Sequence, residues 1–226
     1  MEPKLVVTED GSSSLFIAEL DEHYHSVHGA IQESVHVFIN AGLKQKLSQQ
    51  PVIQILEIGF GTGLNALLTC LEATAAQSAI HYIATEKYPL NSALVSELNY
   101  CSLLKVENSH EIFSAIHSVE WEKSIQITDF FTLSKCEMDF KDIVFRYQFD
   151  IIYFDAFAPS AQPELWTERI FRSMFEALKP DGILVTYCAK GVVKRTMKSV
   201  GFTLEALPGP AGKREMTRAH KLKRSS

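Results

Sequence analysis

One stretch constrains the fold more than any other: residues 51–66, with the sequence PVIQILEIGFGTGLNA. An apolar run from Val52 to Ile58 leads into a turn, and a segment with helical spacing follows from Leu64 to Leu71. The turn contains Gly59, Gly61 and Gly63. A strand, a glycine turn and a helix in this order bring backbone N–H groups against a nucleotide-like ligand, because glycine permits close approach and positive φ. We therefore predict a ligand-binding turn rather than only a tight connection.

The spacing of the glycines narrows the class of ligand. The dinucleotide fingerprint G-x-G-x-x-G requires glycine where Leu64 stands, which disfavours a nicotinamide-dependent oxidoreductase. Glu57 precedes Gly59 by two residues, so the stretch reads E-x-G-x-G-x-G. This pattern resembles the first motif of the Rossmann-like S-adenosylmethionine (AdoMet) methyltransferases. The resemblance implies that Glu57 and the three glycines bind AdoMet.

The rest of the chain alternates between strand and helix patterns. Predicted strands cover 81–85, 124–128, 149–154 and 183–187, and predicted helices cover 89–98, 107–119, 163–178 and 191–200, with a turn at 179–182. Short hairpins are expected around 9–11 and 208–212, and an amphipathic helix is expected to end near Gly42. This alternation predicts an α/β fold with a doubly wound, mostly parallel sheet of the AdoMet methyltransferase type, its last strand antiparallel.

Length and composition favour a single domain. The 226 residues, 46% of them apolar, can bury one full core. We expect an N-terminal extension or lid at 1–45, the methyltransferase domain at 46–220 and a disordered basic tail at 221–226. No apolar run approaches the roughly 20 residues that span a bilayer, and no signal-peptide pattern or C-x-x-C pair is present. A cytoplasmic protein with reduced thiols and no membrane association is expected.

Charge is distributed unevenly along the sequence. The net charge is −5, but residues 187–226 carry +8 and residues 1–186 carry −13. A basic face on an acidic body can follow the phosphates of a nucleic acid, although a solvated helix and a basic tail would give the same count.

Acids follow several of the predicted strands, at the edge of a doubly wound sheet where ligands bind. Glu86 lies 23 residues after Gly63, where an acid accepts hydrogen bonds from ribose hydroxyls; otherwise it is a surface acid at the start of a loop. Asp139 follows the next strand and is a weaker candidate for the adenine amino group. Asp155 follows the strongly β-prone run FDIIYF.

Asp155 belongs to the segment YFDAFAP, in which Phe157 supplies a ring and Pro159 fixes the backbone carbonyls. Methyltransferases that act on amino groups often carry an acid or amide followed by Pro-Pro-aromatic at this point, and Asp-Ala-Phe-Ala-Pro resembles a variant of that arrangement. Methyl transfer needs positioning more than acid–base chemistry, but an alkylamine with a pKa near 10 must first lose a proton. Asp155 is therefore the predicted catalytic residue, holding the amine and accepting its proton. The alternative is a helix cap.

Four segments in order resemble the methyltransferase domain of the MnmC family, in its standalone, MnmD-like form: LEIGFGTGLNALL, YFDAFAPSAQPELWT, TYCAKGVVKRTMKSVGF and GPAGKREM. The resemblance extends from about Tyr24 to Ala219. It implies AdoMet-dependent N-methylation of the 5-aminomethyl group on the wobble (2-thio)uridine of tRNA, with S-adenosylhomocysteine as by-product. Because the chain ends at Ser226, the FAD-dependent oxidase of the bifunctional form is not expected, and a separate enzyme would supply the aminomethyl-uridine.

The same resemblance assigns further roles. Glu33, in the segment GAIQES, matches an element of the family's N-terminal segment that would fold over the cofactor, with Tyr24 and His28 as companions. Phe157 and Trp166 would stack on the extruded base, although Trp166 is equally well explained as a core anchor. Candidates for phosphate contacts are Lys190, Lys194, Arg195, Lys213 and Arg214.

Three alternatives stay open at this stage. A small-molecule amine methyltransferase or a polyamine aminopropyltransferase would share the glycine turn and the aspartate, but the latter would want more acids and a less basic C-terminal segment. A non-catalytic RNA-binding protein on a relic fold would lack AdoMet affinity. His23 and His25 form an H-x-H pair, but no cysteine or second histidine pair completes a site, so no metal is expected.

Overall fold

A small N-terminal sheet precedes the main body of the chain. The computed structural model describes residues 2–47 and 49–223. Its first three strands form an antiparallel sheet in the order β1 (Lys4–Val7), β2 (Ser13–Ile17) and β3 (Glu22–His23). The hairpin predicted around Gly11 is confirmed, and β3 is an addition to it. Helix α1 (Ala30–Ser34) continues as a π-helical turn, Val35–Asn40, so the predicted amphipathic helix ends just before Gly42.

An eight-stranded sheet forms the centre of the fold. Its strands are β4 (Val52–Ile58), β5 (Ala79–Glu86), β6 (Ser124–Thr128), β7 (Phe131–Glu137), β8 (Phe149–Phe154), β9 (Leu178–Thr186), β10 (Thr203–Pro208) and β11 (Glu215–His220). Their order across the sheet is β10-β11-β9-β8-β4-β5-β7-β6. The pairs among β9, β8, β4, β5 and β7 are parallel, and β11 is antiparallel to β9 as predicted. An additional antiparallel pair joins β6 to β7 at the opposite edge.

Helices cover both faces of this sheet. They are α2 (Leu64–Ala76), α3 (Ser92–Ser96), α4 (Tyr100–Leu104), α5 (Ser109–Ser118), α6 (Glu168–Ala177) and α7 (Gly191–Ser199). One apolar cluster joins α2 and α5 to the π-helical turn, and a second joins α6 and α7 to the other face. All six residues of β8 are buried between these layers, as expected of a central parallel strand. The doubly wound fold is confirmed.

Several element boundaries differ from prediction. The helix predicted at 89–98 begins only at Ser92, because the Asn91 side chain accepts a hydrogen bond from Leu94 N (2.9 Å) and caps it there. The turn predicted at 179–182 lies inside β9: the register against β8 jumps from Phe149↔Leu178 to Ile151↔Ile183, which makes it a bulge. The predicted helix 163–178 splits into a 3₁₀ turn and α6.

The start of the predicted basic tail is docked on the body. Lys221 is buried, and its Nζ donates to the carbonyl oxygens of Phe175 (2.6 Å) and Leu178 (2.7 Å). Residues 224–226, the remainder of that prediction, lie outside the described residues. Among the residues that the structure describes, no helix has the length and apolarity needed to cross a membrane.

Candidate active site

A pocket of about 860 Å³ lies at the carboxyl ends of the parallel strands. It is lined by the glycine turn after β4, by the ends of β5 and β8, by the N-terminal segment and by the loop between β10 and β11. A volume of this size is typical of small-molecule and cofactor sites, which in doubly wound sheets occur at this edge.

The glycine turn approaches its neighbours too closely for side chains. Gly59 has φ of 90°, and a Cβ there would stand 2.7 Å from the carbonyl oxygen of Asp155. Gly61 has φ of 51°, and a Cβ there would meet the Tyr24 ring at 3.2 Å. The turn therefore packs against the end of β8 on one side and the N-terminal segment on the other. Gly63, also at positive φ, precedes the first residue of α2.

Glu86 and Asp139, both predicted to contact the cofactor, line the same pocket. Glu86 accepts hydrogen bonds from Gly61 N (3.1 Å), Lys87 N (2.8 Å) and Tyr88 N (2.9 Å), which fixes its carboxylate against the turn. Burial raises the pKa of Glu86 despite these bonds. Asp139 pairs with Lys87 Nζ at 2.8 Å, and this bond lowers the pKa of Asp139. Both side chains line the pocket.

Glu57 does not line the pocket. It is fully buried at the end of β4, and neither carboxylate oxygen has a hydrogen-bond partner among the described residues. Burial raises the pKa of Glu57 well above its ordinary value. The structure therefore places this predicted cofactor residue beneath the turn.

Asp155 reaches the pocket directly after β8. Its Oδ2 accepts a hydrogen bond from Asn65 Nδ2, on α2, at 2.9 Å. Burial raises the pKa of Asp155 to about 7, with the negative charge of Glu33 acting in the same direction and Asn65 and Lys213 acting against it. A carboxyl with a pKa near neutrality can exchange a proton at the pH of the cell.

Glu33 and Lys213 form an ion pair on the same wall. Lys213 Nζ donates to Glu33 Oε1, while Glu33 Oε2 accepts from Ser26 N (2.7 Å). The Lys213 ammonium also stands 4.0 Å from the centre of the Tyr187 ring. Lys213, predicted as a phosphate contact, is thus directed into the pocket, because the loop between β10 and β11 folds over it.

Aromatic residues shape the segment after Asp155. Phe157 lines the pocket and makes an edge contact with Tyr24, with ring centres 5.1 Å apart. Trp166 is buried, lies outside the pocket lining and donates from Nε1 to Phe157 O (2.8 Å), so the structure places it as the core anchor. Pro159 also lies outside the lining.

Sequence reasoning missed Tyr187 and Asn65. The Tyr187 hydroxyl donates to Ala156 O at 2.8 Å, which ties the end of β9 to the segment after Asp155. The position of Tyr187 at the end of a predicted strand, in TYCAK, was the available signal. Asn65 follows the glycine turn on α2 and carried no comparable signal.

The predicted phosphate contacts fall into two groups. Lys190, Arg195 and Arg214 are exposed and have no ion pair among the described residues. Lys194 pairs with Glu215 at 2.8 Å. Lys190 Nζ reaches Ser160 Oγ (3.4 Å), so the start of α7 adjoins the segment that follows Asp155.

Comparison with known proteins assigns the family. A family model described as S-adenosyl-L-methionine-dependent methyltransferase matches residues 108–222, about half of the chain. Several curated relatives bear the name tRNA 5-methylaminomethyl-2-thiouridine biosynthesis bifunctional protein MnmC. The one from Marinomonas sp. (strain MWYL1) is 30% identical over 95% of this chain and 33% of its own length. The one from Cupriavidus necator is 29% identical over 87% of this chain and 31% of its own length. The chain thus spans about one third of these relatives.

Solved structures agree with this family. MnmC2 from Aquifex aeolicus superimposes with a TM-score of 0.82 at 26% identity, covering 99% of this chain and 71% of that one. Spermidine synthase from Thermotoga maritima superimposes with a TM-score of 0.55 at 15% identity, covering 98% of this chain and 72% of that one, which shows the shared fold alone.

Proposed function

We propose that this chain, which belongs to the S-adenosyl-L-methionine-dependent methyltransferase family, methylates the 5-aminomethyl group on the wobble (2-thio)uridine of tRNA. The product would be the methylaminomethyl nucleoside. The observation that carries the proposal is Asp155, a half-buried carboxyl that lines the pocket beside the glycine turn and has a pKa near neutrality. The names of the relatives, which refer to 5-methylaminomethyl-2-thiouridine in tRNA, support the choice of substrate.

The residues of the pocket fit AdoMet. Side chains are excluded from the turn at Gly59 and Gly61, which leaves backbone where the cofactor would pass. Glu86 would accept hydrogen bonds from the ribose, and Asp139 would accept one from the adenine amino group. Glu57, which lies beneath the turn, would contribute to cofactor binding through the turn and not by direct contact. When bound, AdoMet supplies an electrophilic methyl group. Residues 1–45 would serve as a lid, since Tyr24 and Glu33 already line the pocket.

Asp155 would prepare the amine for methylation. A primary ammonium has a pKa near 10 and must give up a proton before its nitrogen can act as a nucleophile. The Asp155 carboxylate would hold the amine by a hydrogen bond and accept that proton, while the low polarity of the pocket lowers the pKa of the amine. Phe157 would contact the base, and Pro159 would hold the shape of this segment. In this proposal Trp166 acts only through the carbonyl of Phe157.

Exposed cations beside the pocket would hold the tRNA. Lys190, Arg195 and Arg214 would contact phosphates, and Lys194 would join them by exchanging its partner Glu215. A tRNA substrate places the reaction in the cytoplasm, where a separate enzyme would supply the aminomethyl-uridine.

The test uses purified protein, AdoMet with a labelled methyl group and tRNA from cells that lack the final methylation. Nucleosides are then separated and identified by mass spectrometry. We expect one added methyl on aminomethyl-uridine. Methylation of small amines but not of tRNA would overturn the substrate and favour a small-molecule amine methyltransferase.

The role of Asp155 has a separate test. Asp155→Asn should lower the turnover number by about 10²–10⁴-fold, the usual contribution of a proton acceptor, while S-adenosylhomocysteine binds with unchanged affinity in calorimetry. Equal loss of binding and turnover would make Asp155 a cofactor ligand instead.

A further inference from the structure

The Glu33–Lys213 ion pair joins two distant parts of the chain across one wall of the pocket. Glu33 belongs to α1 and Lys213 to the loop between β10 and β11, and both line the pocket that contains Asp155. The Glu33 side chain is 8% exposed and that of Lys213 is 33% exposed. A buried carboxylate is stable there only while a cation or hydrogen-bond donors compensate it.

Further contacts connect the pair to the segment that carries Asp155. The Lys213 ammonium covers the face of Tyr187, and the Tyr187 hydroxyl holds the carbonyl of Ala156, the residue next to Asp155. The pair is thus fixed in orientation on both sides.

Titratable groups from several elements surround Asp155, and α2 adds the neutral Asn65. The acidic groups that interact with Asp155 are Glu33 from α1 and Glu57 from β4, and Glu86 from β5 lines the same pocket. Tyr82 from β5 and Tyr187 after β9 also face Asp155, but their pKa values are raised well above the ordinary value by burial, so both stay neutral. Among the described residues, Lys213 is the one cation that lowers the pKa of Asp155. Loss of Glu33 and loss of Lys213 would therefore change the electrostatic field at Asp155 in opposite directions.

We propose that Glu33 and Lys213 are positioning residues that act on Asp155 as a compensated pair of charges, Lys213 favouring its carboxylate and Glu33 its carboxylic acid. The assignment rests on the proposed function in one respect only, namely that Asp155 accepts the proton of the amine. It differs from a simple clasp between the N-terminal segment and the loop, which other contacts already provide. His36 Nε2 donates to Pro208 O at 2.8 Å, and the His28 ring packs where a Cβ of Gly212 would stand.

The test measures the titration of Asp155 in two variants that break the same ion pair. The probe is the side-chain carboxyl carbon of ¹³C-labelled aspartate, followed by NMR from pH 4 to 9 in the protein without substrate, with Asp155→Asn to assign the signal. Lys213→Met should move the midpoint upward by about one pH unit, because the charge of Glu33 is left uncompensated. Glu33→Gln should move it downward by a similar amount, because the cation is left alone.

Two further variants serve as controls. Lys213→Arg retains the positive charge, so the midpoint of the Asp155 titration should stay that of the wild type, whatever the rate of methyl transfer in this variant. The double variant Glu33→Gln/Lys213→Met removes both charges and should return the midpoint close to that of the wild type. If either single variant fails to fold, the other single variant and the double variant still test the sign of the effect.

Shifts in the same direction for both single variants, or no shift in either, would overturn the proposal and leave the pair as a clasp. The acid limb of the pH–rate profile for methyl transfer should follow the same midpoints. Because the titration needs no substrate, its result is independent of whether tRNA is methylated. Opposite shifts without tRNA methylation would retain the pair and reject the substrate.

Discussion

At the scale of single residues, Asp155 combines a chemical use with a cost in stability. Its pKa stands at about 7, above the ordinary 3.8, mainly because burial penalises the charged carboxylate. A group whose pKa is raised by folding contributes full stability below its unfolded pKa and loses that contribution as the pH rises through the folded pKa. Asp155 should therefore weaken the fold increasingly between about pH 4 and pH 7, where its carboxyl ionises in the unfolded chain but not yet in the folded one, and by a constant amount at higher pH.

Asp155→Asn should make the protein more stable at pH 8 while it removes activity. Asparagine cannot ionise and can still accept the hydrogen bond from Asn65 Nδ2. Each unit of pKa shift corresponds to about 1.4 kcal/mol, so the gain at pH 8 should be on the order of a few kcal/mol. Thermal unfolding of both proteins at pH 4 and pH 8 measures it. The two midpoint temperatures should converge at pH 4; a lower midpoint for the variant at pH 8 would contradict this explanation.

At the scale of elements, β4, the glycine turn and α2 act as one unit with the end of β8. The backbone of Asp155 donates to Ile58 O (3.0 Å), and its carbonyl oxygen lies where Gly59 has no side chain. A change in the turn therefore reaches the cofactor side and the catalytic side of the pocket together.

Gly59→Ala should reduce cofactor affinity and turnover together, in contrast to Asp155→Asn. The new Cβ would be 2.7 Å from a backbone oxygen, so the turn or the end of β8 must move. The matched control is Gly11→Ala, where φ is also positive (84°) but nothing lies within 4 Å of the added Cβ. Both variants should lose about 1–2 kcal/mol from backbone strain, but only Gly59→Ala should weaken S-adenosylhomocysteine binding in calorimetry. Equal affinity in the two variants would show that the turn tolerates a side chain.

The secondary-structure elements that could be predicted from the sequence are those whose hydrophobic pattern is determined locally. The runs that became β4 and β8 are apolar and bounded by turn residues, which suffices to predict buried strands. Strand β7 was missed because its inward positions include Lys135, which is 2% exposed. That lysine is accommodated by residues from other elements: its Nζ donates to His117 O (2.9 Å) and stands 5.0 Å from the Trp121 ring. No local sequence pattern predicts a buried lysine within a strand.

As with the fold, only the locally determined part of the site could be predicted from the sequence. The predicted strand ends placed Glu86 and Asp155 at one pocket, since parallel strands deliver their carboxyl ends to one edge, whereas Asp139 follows β7, a strand that was not predicted. The direction of Lys213 and the burial of Trp166 depend on contacts with residues far away in the chain, Glu33 and Phe154 among them. Residue type and spacing do not predict those contacts.

At the scale of the whole molecule, the charge count of the C-terminal segment overstates its basic surface. Several of its cations are used internally: Lys194 and Lys213 in the pairs described above, Arg218 with Glu205 (2.8 Å), and Lys223 with Asp181 (2.8 Å). Exposed cations without an ion pair among the described residues are Lys190, Arg195, Lys198 and Arg214. A phosphate-binding surface would be built from this smaller set, next to the pocket.

Lys190→Gln/Arg195→Gln should weaken tRNA binding mainly at low salt. If both side chains contact phosphates, the slope of log affinity against log salt should fall by about 1 to 2, since each contact releases counterions from the nucleic acid. Fluorescence anisotropy with unmodified tRNA between 50 and 300 mM salt, ~50 mM being low enough to preserve such contacts, measures that slope. The matched control is Lys123→Gln, next to β6 at the opposite edge of the sheet, which should leave the slope unchanged. S-adenosylhomocysteine affinity should stay constant in both variants, because these side chains lie outside the pocket lining. An unchanged slope in the double variant would remove α7 from the tRNA-binding surface and direct the search to Lys198 and Arg214.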